Sequence, residues 1–375
     1  MKIDSLYTLF NTPARQKALQ NLVADNRTKT IHITGLQGSA ASLLLSSLST
    51  CGRPVVLVAN DMEEAGYLYH DLVQIQGEGN IVFFPSGYKR AIKYGQVDAA
   101  NEILRTETLN RLRQTDRSLI VVTCPEALAE KVVRETTLSE KTIHLVKNGK
   151  ADITNISDIL FKYGFERVDY VYEPGQYAVR GSIIDVFSFA SEYPYRIDFF
   201  GDEVESVRTF EVESQLSREK KDGVSIVPDL AVTGDVTTSF LDFIPKETTL
   251  AMRDFLWLRE RIQVVHDEAL TPQAIAVQEA EENGGITLEG KLIDGSEFTV
   301  RALDFRRLEF GNKPTGTPNA SVTFNTSAQP IFHKNFDLVA SSFKDYLEKG
   351  YSLYICSDSM KQTDRIKAIF EDRGD

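Results

Sequence analysis

"ITGLQGSAASLLLSSL", from Ile33 to Leu48, has the outline of a phosphate-binding loop: a β-type run through Ile31 and Ile33, then glycines, then an apolar helix. Such a loop reads G-x-x-x-x-G-K-[S/T]. Its backbone N–H groups cradle the phosphates, the lysine reaches the β and γ oxygens, and the hydroxyl binds Mg²⁺. Aligned on Gly35, the stretch keeps its first glycine, a further Gly38 and the hydroxyl of Ser42, but Ala40 and Ala41 stand where the second glycine and the lysine belong. Ala41 offers neither charge nor donor. The expectation is a glycine-rich turn between a buried strand and a helix packed through Leu43, Leu44 and Leu48. The alternative is weak anion binding at the helix N-terminus. A working ATPase of this class also needs an acidic residue ending an apolar strand. In "TTLAMRDF" that place is taken by Arg253, with Asp254 next, and a cation there repels Mg²⁺.

Other chemistry-bearing residues do not converge. "VVHDEAL" places Asp267 beside Glu268, but Leu258, Ile262, Val265 and Ala269 recur at helical spacing, which puts the acidic pair in the middle of an amphipathic helix on its solvated face. His32, His70, His144, His266 and His333 are scattered, with no cysteine, serine or carboxylate partner that marks an acyl-transfer or metal site. Cys51, Cys124 and Cys356 are odd in number and far apart, which suggests neither a disulfide framework nor a zinc site and points to buried thiols in a reducing compartment. No metal or cofactor is implied.

The elements that must position these residues fall into three stretches. The chain has 375 residues, more than the roughly 250 at which single cores stop growing, so two or three domains are expected. Residues 1–141 alternate apolar runs (Thr30–Ile33, Val55–Ala59, Ile81–Phe84, Leu119–Thr123) with helical patterns such as Leu68, Leu72 and Ile75, which predicts a parallel sheet covered by helices. From 142 to 230, "YAVRGSIIDVFSF" and "YPYRIDFFGDEVESVRTFEV" read as an antiparallel meander with Gly201-Asp202 as a hairpin turn. Residues 231–375 return to mixed helix and strand. Within them, "NGGITLEGKLIDGSEFTV…FGNKPTGTPNAS" is expected to form loops and short strands, and "YSLYICSDSMKQTDRIKAIFEDRGD" a strand followed by a helix. The predicted architecture is a parallel α/β domain built from two chain segments, with a small α+β domain inserted between them; the ending suggests a piece of a longer chain.

Composition narrows the function. A formal charge of -12 argues against nucleic acid as the principal ligand, because phosphate binding needs clustered Lys and Arg. The N-terminus lacks a signal-peptide core and no run approaches the roughly 18 apolar residues of a membrane span. A soluble cytoplasmic protein is expected.

The series Glu173-Pro174-Gly175, Arg180-Gly181, Asp185-Val186-Phe187, Arg196 and Phe199-Phe200-Gly201-Asp202-Glu203 resembles the small second domain shared by the UvrB damage-repair helicases and the bacterial transcription-repair coupling factors. "GRPVVLVANDMEEAGYLYHDL", "PSGYKR…GQVDAANEILRTETLNRLRQTDRSLIVVTCPEALAEKV" and "LDFIPKETTLAMRD" are similar to the flanking degenerate helicase-like domain. Two departures separate the relatives. UvrB keeps an intact P-loop and an acidic metal residue, absent here at Ala40, Ala41 and Arg253. UvrB also carries a long aromatic hairpin that clamps DNA, where this chain has only "PSGYKRAIKYGQ", with Tyr88, Lys89, Arg90, Lys93 and Tyr94. The resemblance therefore implies the N-terminal UvrB-like module of the coupling factor, a monomeric, non-catalytic adaptor. In the full-length family ATP-driven translocation, RNA polymerase and DNA belong to later domains. An ATP-dependent UvrB-type helicase is the alternative, and an unrelated α/β protein a third reading.

Within the second stretch, period-two alternation puts Arg196, Asp198 and Phe200 on one face of a strand and Tyr195, Ile197 and Phe199 on the core face. Arg180 shares a face with Ser182 on the neighbouring strand, and Gly181 between them would let another backbone or side chain approach closely. The resemblance implies that Arg180, Arg196 and Phe200 dock the UvrA ATPase. As outward-facing residues they are expected to be removable without harm to the fold.

Overall fold

The computed structural model describes residues 8, 14–88, 98–113, 119–228, 237–279, 288–333, 335–355, 357 and 359–372. Strands are numbered in chain order. β1 (Thr30–Thr34), β2 (Val55–Val58), β3 (Ile81–Phe84) and β4 (Ile120–Thr123) alternate with helices, among them Met62–Gln76 and Ala99–Arg113. β5 (Lys131–Val133) and β6 (Ile143–Val146) lead away. β7 (Glu166–Arg167), β8 (Gln176–Arg180), β9 (Ile183–Val186), β10 (Tyr195–Phe200), β11 (Glu203–Phe210) and β12 (Ser217–Lys221) follow. β13 (Gly223–Ile226) and β14 (Thr237–Ser239) lead back to β15 (Thr249–Met252), β16 (Arg306–Glu309) and β17 (Ala320–Thr323).

The first sheet has the order β17-β1-β16-β15-β2-β4-β3, with every pair parallel. β15 and β16, which come late in the chain, lie between β1 and β2. β2, β4 and β15 are buried along their whole length, as expected for parallel strands covered on both faces. The second sheet, β12-β11-β10-β9-β8-β7, is antiparallel except for its β7–β8 edge. It is packed on a separate core that includes Leu160, Tyr177, Ile184, Ile197 and Val207. The architecture is α/β with an inserted antiparallel sheet. Two ladders connect the parts: β5 with β14, and β6 with β13, where Ile143 lies opposite Ile226.

Several expectations need correction. The helix after Gly35 spans Ala40–Ser46 and buries Leu44 and Leu45, with Leu48 buried in the following 3₁₀ turn; Leu43 is only half-buried. The Gly-rich stretch contains a helix, Gly295–Ala302, whose first N–H groups bond the Asp294 side chain at Ser296 and Glu297. Asp267 and Glu268 sit in the last turn of Phe255–Ala269, not its middle, although Leu258, Ile262, Val265 and Ala269 form its buried face as expected. Gly181 (φ +61°) and Ser182 join β8 to β9 as a two-residue hairpin loop, and a Cβ on Gly181 would meet nothing, so this glycine serves the turn rather than a close approach. Gly201 (φ +61°) and Asp202 make the expected turn between Phe200 and Glu203.

Residues Met1–Thr326 form one compact unit and Ser327–Asp375 another. In the second, helices Phe336–Glu348 and Met360–Asp372 meet through Phe343 and Phe370, whose ring centroids are 5.8 Å apart. The strand expected at "YSLYI" does not form: Tyr351, Tyr354 and Ile355 are exposed and have no ladder partner among the described residues.

Candidate functional site

The loop after β1 is held by the chain itself. Gly35 (φ +77°) runs so close to Phe324 that a Cβ would lie 1.8 Å from its carbonyl oxygen, a position only glycine fills. Thr326 Oγ1 donates to Gly35 O at 2.6 Å and accepts from Gln37 N at 2.8 Å. Ala40 N and Ala41 N donate to Gln37 O and Gly38 O at 3.2 and 3.4 Å. Three of the N–H groups that would cradle a phosphate, those of Gln37, Ala40 and Ala41, are thus engaged. Ser42, buried, donates to Asp71 Oδ2 at 2.9 Å, and Arg253 at the end of β15 pairs with Glu64 Oε1 at 2.7 Å. A cavity of about 150 Å³ remains, bordered by Gly38, Ser42, Glu64, Tyr67, Asp71 and Arg253. Its two carboxylates face where a nucleotide would bring more negative charge, and its guanidinium is already paired. The residues do not fit a Mg-nucleotide.

Of the remaining isolated candidates, Asp267, His266, His32 and His144 take local partners. Asp267 accepts from Gln263 Nε2 at 2.8 Å and lies 3.0 Å from His266 Nδ1; its pKa is lowered, first by that histidine contact. His32 Nε2 lies 3.1 Å from Gly311 O, and His144 Nδ1 lies 2.9 Å from Ser225 Oγ. Burial pushes the Cys51 thiol up to about 11 and the Cys124 thiol higher still. Cys356 lies outside the described residues. No group of three or more metal-ligating side chains occurs among the described residues.

In "PSGYKRAIKYGQ", Lys89, Arg90, Lys93 and Tyr94 also lie outside the described residues, while Tyr88 packs against Ala269, Leu288 and Leu292. The two ends of this link are tied by Asp98 N donating to Gly87 O at 2.8 Å. Beneath them the buried Glu130 accepts from Gly87 N at 2.9 Å and pairs with Arg105 at 3.0 Å. Sequence reasoning did not mark this pair. Arg105 lies inside the helix Ala99–Arg113 and Glu130 just past the end of the helix Pro125–Ala129, so two buried charges far apart in sequence leave no local pattern to find.

The second sheet presents the most organised surface. β10 sends Ile197 and Phe199 into the core, with Phe199 4% exposed, and Phe200 outward at 80% exposure. The alternation survives the bulge that shifts register after Asp198, because the extra residue, Glu205, is on β11. On the outer face the rungs read Ala178–Asp185–Arg196–Arg208 and Arg180–Ile183–Asp198–Ser206. Both hairpin turns, Gly181-Ser182 and Gly201-Asp202, lie at the same end of the sheet, which places Arg180 and Phe200 there together.

Asp185 governs the face from below. Fully buried, it accepts from Arg196 Nε at 2.7 Å and Arg196 Nη2 at 2.8 Å in a two-pronged fork, and also from Arg180 Nη2. Arg196 spends its remaining nitrogen on Gln215 O at 3.1 Å and lies 4.6 Å over the Phe210 ring, so its side chain is only 15% exposed. Its pKa is raised, first by the bonds to Asp185. Arg180 differs: its side chain is 38% exposed, over the Tyr170 ring at 5.2 Å, with Asp169 O at 3.3 Å. Arg196 is therefore not the open residue that alternation alone suggests. Val171, Ala178, Phe187 and Phe210 form a small apolar cluster on this face that covers it. Asp198 pairs with Arg208 at 2.9 Å and accepts from Ser206. Tyr170, Tyr172 and Leu216, all exposed, add apolar surface that sequence reasoning missed. Asp185 had a legible signal, an acid inside "SIIDVF" on a short apolar strand, since a buried charge must be paired.

Residues 143–231 match the family model of the UvrB interaction domain. Over 196 residues, 52% of this chain and 17% of the relative, the chain is 30% identical to the transcription-repair-coupling factor of Escherichia coli K12. It is 27% identical over 198 residues to that of Bacillus subtilis 168, again 52% of this chain and 17% of the relative. With that of Staphylococcus aureus RF122 the similarity is 19% identity over 405 residues, 91% of this chain and 34% of the relative. The chain thus spans about a third or less of the curated relatives it matches.

Proposed function

We propose that this chain is a non-catalytic adaptor that captures the UvrA repair ATPase through the outer face of its inserted sheet, by mimicking UvrB, and so recruits it to stalled RNA polymerase. One observation carries the reading. The stretch similar to the UvrB interaction domain is the stretch that folds as the second sheet, and that sheet's open end presents an exposed Phe200 beside a held Arg180. Aromatic and arginine side chains are the types that dominate binding energy at interfaces. In this reading residues 142–230 make the contact, and residues 1–141 with 231–375 form the scaffold. Arg196 supports the contact from beneath. RNA polymerase and DNA are engaged by portions of the longer relatives that this chain does not cover, and the module works as a cytoplasmic monomer.

The adaptor role without ATP turnover is supported by the engaged loop N–H groups, the Ser42–Asp71 bond and the Arg253–Glu64 pair. Among the described residues no helix is long and apolar enough to cross a membrane. The experiment is interferometry of the purified chain against UvrA. Hot-spot truncation costs on the order of 2 kcal/mol, so Phe200→Ala and Arg180→Ala should each weaken capture roughly thirtyfold. Unchanged capture by both variants overturns the docking assignment. Calorimetry with Mg-ATP should detect no tight binding; micromolar affinity or turnover above a buffer blank overturns the non-catalytic part.

A further inference from the structure

We infer that Asp185, which no partner can touch, is the positioning residue of the docking face: its carboxylate holds Arg180 in the orientation that a partner meets. The inference rests on the docking reading above.

Asp185 lies on β9, the strand between those that carry Arg180 and Arg196, and it is fully buried. Its fork with Arg196 already balances its charge and occupies both oxygens. The further bond from Arg180 is surplus to what the buried carboxylate needs, although a carboxylate has lone pairs enough to accept it. Arg180, on the exposed hairpin end, needs no buried partner for its own solvation. What the bond does is immobilise it. Together with Asp169 O and the Tyr170 ring, Asp185 fixes a guanidinium that would otherwise sample many rotamers, and a side chain fixed before contact loses less freedom on binding. The local charge also has a consequence: with Asp185 already balanced by Arg196, the half-exposed Arg180 keeps a positive charge to offer on the same face as the exposed phenylalanine, although Asp202 and Glu203 also stand at this end. The chemistry that matches is an apolar pocket for Phe200 with a carboxylate placed to meet Arg180.

A purely structural Asp185 would affect capture only through folding, and the two roles separate in a double-mutant cycle on the full chain with purified UvrA as probe. Asp185→Asn should weaken capture about tenfold in the wild-type background and less than twofold when Arg180 is already alanine, because the residue through which it acts is gone. Thermal melts should fall in both backgrounds, by amounts that differ only by the small worth of the Arg180–Asp185 bond. Equal losses of capture in both backgrounds overturn the inference. Arg180→Lys supplies a second arm that leaves the buried pair intact: an ammonium keeps the charge but not the planar fork, so capture should fall nearly as far as with alanine. Full capture by Arg180→Lys also overturns it.

A partner-free measurement keeps the two readings distinct. In ¹⁵N spectra the Arg180 guanidinium should show hindered rotation in the wild type and averaged signals in Asp185→Asn. If Arg180→Ala binds UvrA normally, docking through Arg180 is wrong and the positioning role falls with it. If Arg180→Ala weakens binding but the spectra show Arg180 equally free in both proteins, docking stands and the hold by Asp185 is overturned.

Discussion

Phe199 and Phe200 are the same residue type on adjacent positions, and the strand sends one into a core and the other into solvent. Phe199→Ala should cost about 3–5 kcal/mol as a core truncation, while Phe200→Ala should stay within about 0.5 kcal/mol, measured by paired denaturant melts. An early melt for Phe200→Ala alone would mean the faces are inverted. Arg196 was expected from alternation to be dispensable for folding, and the structure reverses that. Its removal leaves the buried Asp185 carboxylate without its fork, a loss of about 3–5 kcal/mol for a broken buried pair, so Arg196→Ala should destabilise where Phe200→Ala does not. Loss of capture by Arg196→Ala must therefore be read beside its melt. A second residue-scale effect concerns Cys51, whose thiol burial pushes up to about 11. The folded state favours the protonated thiol relative to the unfolded chain, where it titrates near about 8.5. Stability from this group is present below that value and is lost as pH rises toward 11. Wild type should lose denaturant resistance between about pH 9 and 10.5 relative to Cys51→Ser, and in a Cys356→Ser background native thiol labelling at about pH 8 should be slow. Rapid labelling of Cys51 under native conditions would contradict its burial.

Elements were legible wherever one period ran undisturbed. β2, β3 and β4 were visible as apolar runs because parallel strands are buried on both faces, and β10 as an alternation because its sheet is buried on one. Gly201-Asp202 announced its hairpin. Three failures have physical causes. Gly295–Ala302 was hidden by a composition of glycine and threonine, though Asp294-Gly-Ser-Glu297 carries an acid at the cap and another three residues on, a helix-start signal that outweighs the glycine. "YSLYI" reads as a strand by content, but a strand exists only with a ladder partner. The support beneath the outer face of the second sheet could not be read, because Arg180 and Arg196 reach Asp185 through the register of a meander, which content does not specify. The hidden helix yields a test. Asp294→Ala should cost about 1 kcal/mol in a urea melt as a lost cap. Gly295→Ala should also destabilise, since its Cβ would lie 2.7 Å from Arg259 O, despite the better helix propensity of alanine. A gain in stability from Gly295→Ala would show that the two helices can part.

At the scale of the molecule, the order of the first sheet decides what can be cut. β15 and β16 fill the space between β1 and β2, so a fragment ending near residue 228 lacks the middle of its own sheet. Residues 1–228 should show no cooperative melt of that sheet, whereas 142–228, with its own core, should melt cooperatively alone; circular dichroism of both fragments would decide, and the reverse pattern would refute the division. The acidic balance also acts at this scale. With a formal charge of -12, the chain should bind duplex DNA weakly and without preference for lesions at physiological salt, and tight lesion-selective binding in an anisotropy titration would refute this. The ladder between β6 and β13 has a further implication. Ile143 and Ile226 face each other as its outermost rung, so the chain leaves for the inserted domain and returns from it at points only about 5 Å apart. To the parent sheet, more than eighty residues are topologically equivalent to the tip of one tight turn. A two-residue graft from Thr142 to Val227 would close the gap they leave. The whole inserted domain therefore hangs from one pair of adjacent strand ends, and its removal would change the neighbour of no strand in the first sheet.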